Sequence, residues 1–142
     1  MEQEERLGAK KWFAFVLVGL IGQLAWAIEN NYINLWVFSQ SGKAEYINWM
    51  TVGSAIVATI TTFLMGALSD KLGKRKIFIA GGYTIWGLFV FGFALGSLQN
   101  MEALFGNGGQ AILWVGIFNV VIDCVMTFFG STGNDACFNA MV

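Results

Sequence analysis

Apolar residues in this chain are gathered into four long runs rather than alternated with polar ones. The first extends from Trp12 to Phe38, with polar residues entering after Ile28, and the second from Ile47 to Ser69. The third covers Ile77 to Leu98, and the fourth Ala111 to Phe129, where Asn119 and Asp123 interrupt it. A bilayer core of about 30 Å is crossed by roughly 20 helical residues, so each run is long enough to span. Lipid offers the backbone no hydrogen-bond partners, which makes the runs helices. A transmembrane β-barrel would need alternating segments of about ten residues, and these runs do not alternate. The pattern predicts an all-α membrane protein with spans at about 12–38, 47–69, 77–98 and 111–129, forming one partial membrane domain over residues 1–142.

Composition supports this reading. Of the 142 residues, 56% are hydrophobic and 12% charged, with a mean hydropathy of +0.62. A soluble domain carries charge on about a quarter of its positions, and a small one leaves too much surface exposed to hide so much apolar side chain. The net charge of −1 predicts no nucleic-acid partner. The absence of His removes the commonest acid–base catalyst. With no nucleophile–base pair or metal cluster in view either, no enzyme activity, cofactor or metal is expected. Cys124 and Cys137 are too few for a disulfide framework or a zinc site and are expected to pack.

Basic residues set the expected orientation. Arg6, Lys10 and Lys11 precede the first run, and Lys71, Lys74, Arg75 and Lys76 lie between the second and third, against Lys43 alone on the other side. Positive charge stays cytoplasmic, so both termini are expected in the cytosol of a multi-pass cell-membrane protein, with the turn at Gly106, Gly108 and Gly109 outside. Trp12, Trp49 and Trp114 fall where an interfacial belt would lie. Lys10, Lys11 and Ala25-Trp26-Ala27 also resemble parts of a cleaved leader. The run continues past them, however, and three more follow. Thr132 and Asp135, spaced as a capping box ahead of an apolar stretch, predict that 130–142 begins a fifth helix and that the chain is incomplete.

Two groups of residues carry candidate chemistry. An intramembrane Asp costs about 2.5–3.5 kcal/mol at a helix centre, and Asp123 lies about 18 Å inward from Ala111. Asn119 and Thr127 share its helical face. On the first span Gln23 and Trp26 lie about 17 and 21 Å from Trp12, and Glu29 about 26 Å, near the outer boundary; Asn30 shares the face of Gln23 and Trp26. Carboxylates and amides grip hydroxyls and an indole covers a ring face, so Gln23, Trp26, Glu29, Asn30, Asn119 and Asp123 form a candidate solute-binding set. The competing reading of the Asn119–Asp123–Thr127 face is a set of hydrogen bonds that glue helices together.

The second group is the short basic loop Gly66-Ala67-Leu68-Ser69-Asp70-Lys71-Leu72-Gly73-Lys74-Arg75-Lys76. A carboxylate at a helix C-terminus opposes the macrodipole, so Asp70 needs a cationic or N–H partner. Gly73 permits the left-handed backbone of a tight turn, and Gly66 permits close approach of another helix.

The order of Gly66, Asp70, Lys71, Gly73, Lys74 and Arg75 resembles the signature loop between helices two and three of the major facilitator superfamily. That resemblance implies that the chain is part of the N-terminal six-helix bundle, with this loop acting as a cytoplasmic gate. The stretch from Gly22 to Asn30, and the run from Gly130 to Met141, are similar to helix one and the approach to helix five in the sucrose-type and glycoside–pentoside–hexuronide:cation symporter branch. The implied function is secondary transport of a small solute, a sugar or glycoside, coupled to H⁺ or Na⁺. Asp123 would stand in the place of a fourth-helix Asp that takes part in sugar and cation binding in melibiose-type permeases. The second-helix acids that hold Na⁺ there have no counterpart between Ile47 and Ser69. The implied partners are the bilayer, the solute and a missing C-terminal half, without which the chain is expected to transport poorly. Two alternatives stand beside this one: a complete four-helix small multidrug exporter acting as a dimer, and a tetraspan interaction protein without transport activity.

Overall fold

The computed structural model describes residues 8–106 and 108–138. The protein is a bundle of four long apolar helices: α1 (Ala9–Ser41), α2 (Ala44–Leu72), α3 (Arg75–Gly96) and α5 (Gly109–Phe138). A short helix, α4 (Leu98–Phe105), joins α3 to α5. Each long helix has the length and apolarity to cross a membrane, and the chain is a multi-pass membrane protein. Large apolar side chains such as Leu20, Phe63 and Phe91 cover the outside of the bundle, where a soluble protein would place charge.

Two connections are reduced to tight turns. Gly42 adopts a left-handed conformation (φ 66°) and its N–H donates to Phe38 O at 2.7 Å, closing α1. Gly73 does the same for α2 (φ 61°), donating to Ser69 O at 2.9 Å. No β-carbon obstructs this backbone at glycine, and turns this short make consecutive helices antiparallel neighbours. At the third connection the Ser97 hydroxyl caps α4 by accepting from Asn100 N. Gln40 Oε1 accepts from Leu98 N at 3.0 Å and so ties the end of α1 to the start of α4.

The core is organised around α5. Of its most apolar stretch 33% is buried, against 17% for α3, 11% for α1 and 6% for α2. Helix α5 packs against both α2 and α3, takes α4 across its first turns, and meets the second half of α1. Val37, Met50, Trp86, Phe93, Ile122 and Met126 form the main cluster. Small residues allow this approach where lipid gives no hydrophobic drive to association. At the α3–α5 seam a β-carbon on Gly82 would stand 2.8 Å from Phe129 O and 2.9 Å from Gly133 N, both backbone atoms. Gly92 and Gly96 lie on the same seam, against Ile122 and Asn119 respectively.

The described part of 130–142 does not open a separate fifth helix. The backbone passes from Ser131 into a π-helical stretch, Thr132–Phe138, without a break. The Thr132 hydroxyl donates to Phe128 O at 2.7 Å, one turn back along its own helix. That bond fits a helix interior rather than an N-cap, where the hydroxyl would accept from an N–H ahead. Residues 139–142, like Arg6, lie outside the described residues.

Candidate intramembrane site

Near the middle of α1 the α-helical hydrogen-bond pattern gives way to a π-helical turn, Glu29–Ile33. Such turns add a residue and displace backbone acceptors from their usual partners. Three asparagines respond along this stretch. Asn30 Nδ2 donates to Trp26 O at 2.8 Å, Asn31 Nδ2 to Ala27 O at 2.6 Å and Asn34 Nδ2 to Asn30 O at 2.7 Å. The π turn starts about 6 Å past the helix midpoint, because α1 begins at Ala9 and runs on to Ser41. Glu29 therefore stands about 18 Å short of the far end of α1, whereas a count starting from Trp12 puts it near the end of its span.

Glu29 turns into the bundle and is 6% exposed. Its Oε2 accepts from Trp86 Nε1 of α3 at 3.0 Å. The Trp86 indole packs against Trp26 of α1 (ring centroids 5.0 Å) and Tyr83 of its own helix (5.7 Å). Gly130 of α5 makes room for both indoles: a β-carbon there would stand 3.2 Å from Trp86 and 3.4 Å from Trp26. The Tyr83 hydroxyl donates to Asn134 Oδ1 at 2.9 Å, and Asn134 Nδ2 donates to Asp135. The polar chain thus reaches from α1 through α3 to the end of α5.

Asp123 completes the cluster. It is 5% exposed and close enough to Glu29 for the two carboxyl charges to interact. Among the described residues its carboxyl has no hydrogen-bond partner. Two acids held in one low-dielectric region repel when both are charged, and a proton or a cation between them relieves that repulsion. Thr127 and Ser131 continue the same face of α5, both buried, with hydroxyl oxygens that have no partner among the described residues.

The six residues singled out for solute binding fall into two groups. Trp26 and Glu29 meet Trp86, and Asp123 is buried in the bundle within reach of the Glu29 charge. Gln23 and Asn30 lie on the exposed side of α1, and the Asn30 amide is engaged by its own helix. Asn119 is fully buried and acts as a clasp, with Nδ2 donating to Gly96 O at 3.0 Å and to Val115 O at 2.7 Å. Trp86, Tyr83 and Asn134 were not singled out, since nothing in an apolar run marks which indole will meet a carboxylate 57 positions away.

In the basic turn, Asp70 Oδ1 accepts from Arg75 Nε at 2.9 Å and also from Nη2 of the same guanidinium. The cationic partner Asp70 needs is thus five residues ahead of it. Lys71 and Lys74 are exposed. Gly66 is half-buried, and a β-carbon there would meet nothing within 4 Å. An open cavity of about 710 Å³ is lined by Asp70, Gly73, Lys74, Arg75, Lys76 and Ile77. Among the described residues no group of three or more metal-ligating side chains comes together. Comparison with protein-family models, with curated proteins and with solved structures finds no match to this chain.

Proposed function

We propose that this chain is the leading part of a secondary active transporter of the cell membrane, moving a small polar solute, a sugar or glycoside, together with a cation. The observation that carries this reading is the burial of two acids, Glu29 and Asp123, in the bundle interior, with Glu29 bonded to Trp86 beside Trp26. Two acids at that depth are costly to keep, and they supply what coupled transport needs: a place for one positive charge next to groups that accept hydroxyl hydrogens. The likeness of the Gly66–Arg75 segment to the major facilitator signature loop supports a cytoplasmic gate at the basic end. The exposed amides of Gln23, Asn30 and Asn31, set midway along a membrane helix, suit a face that a second bundle covers to enclose a solute pathway. Neither the coupled cation nor the solute acts as a resident cofactor in this reading, and no enzymatic step is assigned.

Fluorescence of the purified chain tests it, because Trp26 and Trp86 border the site. Titration with a panel of monosaccharides and glycosides is expected to give a saturable change for at least one class. Asp123→Asn is expected to abolish that change while leaving the helical circular dichroism intact. A panel with no saturable response, or an Asp123→Asn protein that responds as wild type does, overturns the proposal.

One observation favours a second reading. A buried carboxylate in the first span is the feature of a small multidrug exporter, and Glu29 fits it. That reading expects Glu29→Gln to abolish binding of a lipophilic cation such as tetraphenylphosphonium, with Asp123→Asn leaving it unchanged.

A further inference from the structure

At the basic end of the bundle, α1 and α3 do not close on one another. The last turn of α5 stands between them. Phe138 packs its ring against Phe15 (centroids 5.9 Å), and Gly19 lies so close that a β-carbon there would stand 3.1 Å from the same ring. The result is a groove of about 310 Å³ with Phe138 at its floor, Phe15 and Val18 on the α1 wall and Ile79 on the α3 wall. Lys11 and Lys76 line the same groove.

The positions of these residues fix what suits the groove. Lys11 is the third residue of α1 and Lys76 the second of α3, so both ammonium groups sit at the level where helices leave the apolar zone. Val18 lies seven residues beyond Lys11, so the apolar wall continues about 10 Å toward the membrane centre. Neither lysine has a carboxylate partner among the described residues. Two cations without a carboxylate partner among the described residues, above an apolar slot, complement an amphiphile with a negatively charged head and a hydrocarbon tail. Free phosphate would leave the Phe15–Val18 wall without a function, and a neutral helix would leave the lysines without one. Basic pockets between membrane helices hold anionic headgroups by this chemistry.

We infer that the groove between α1 and α3 binds one anionic phospholipid, its phosphate held by Lys11 and Lys76 and the first part of an acyl chain laid along Phe15, Val18, Ile79 and Phe138. This site is separate from the carboxylate cluster and stands whether or not the transport reading does. A lipid here would fill the gap that keeps α1 from packing on α3, and so would fix the tilt of the loosely held first half of α1.

Native mass spectrometry of the full chain, released from detergent containing equal amounts of phosphatidylglycerol and phosphatidylcholine, tests this directly. The expected spectrum shows one tightly retained phosphatidylglycerol. Near-surface lysines contribute enough to weaken retention about fivefold when one is neutralised and about thirtyfold when both are, so Lys11→Gln with Lys76→Gln should lose the adduct. Lys11→Arg with Lys76→Arg should keep it. Phe15→Ala should weaken it with both charges in place. Equal retention of the two lipids overturns the inference, as does an adduct that survives the double Gln substitution. A loss of equal size from Lys71→Gln with Lys74→Gln would assign the lipid to the basic turn at large and overturn the site as well. Lipid-free dimers would place a second copy in the groove, with the same consequence.

Discussion

Two aspartates in this chain meet opposite circumstances. Asp70 lies at the basic end, exposed, with the Arg75 guanidinium bound to one oxygen through two nitrogens. Asp123 lies inside the bundle, with another acid nearby and no donor on its carboxyl among the described residues. Headgroup water stabilises the first whether or not Arg75 is there, so the pair sets the shape of the turn more than it supplies energy. The second has no such supply, and every group around it bears on the cost of keeping it. The same side chain is therefore a local latch at one depth and an energetic liability at the other. A liability of this kind persists where function draws on it.

The largest expected effect comes from breaking the wall that encloses the deep acids while leaving the surface pair untouched. Gly82→Val pushes a branched side chain into the backbone of Phe129 and Gly133. Overpacking of this kind costs about 1–3 kcal/mol, and more where only backbone could yield. Unfolding of the detergent-solubilised protein by dodecyl sulfate should show the loss, and a midpoint equal to wild type would mean that α3 and α5 are not in contact there.

A smaller effect is expected at Trp86. In Trp86→Phe the Glu29 carboxyl loses its indole donor, and leaving a buried polar group unmatched costs about 1–3 kcal/mol. Glu29→Leu in the same protein should restore most of that loss, because the two changes remove both partners together. A double-mutant cycle in the same unfolding assay measures the coupling, and additive effects would show that the bond contributes nothing.

The smallest effect belongs to the surface pair. Asp70→Asn should lower stability by less than about 1 kcal/mol, and the difference should shrink further in 0.5 M salt. A loss as large as that of Trp86→Phe would erase the distinction between the two aspartates.

The helices were legible because length and apolarity determine a membrane span almost alone, and each apolar run lies in or close to one of the four long helices. The turn at Gly73 was legible for a related reason: one residue type satisfies its backbone. The place of Asp123 along its helix could be counted, since the fourth run starts close to where α5 does. The place of Glu29 along α1 could not, because polar residues after Ile28 disguise a helix that continues to Ser41. Which face of each helix meets which neighbour was also hidden. Runs that are apolar on every side give no stripe to read, so the Trp86–Glu29 bond and the Asn119 clasp emerge only when the helices are packed. Thr132 misled for a local reason, since a hydroxyl that caps and one that bonds backward look alike in sequence.

The π turn at Glu29–Ile33 amounts to one amino acid more than an α-helix needs to cover the same rise. Deleting a single residue from Asn30-Asn31-Tyr32 would restore regular winding, and because the wide turn already absorbs the extra residue, the two halves of α1 would keep close to their present phase. Glu29 and Val37 could then both stay turned into the bundle, so the extra residue widens the wall of α1 without setting its register.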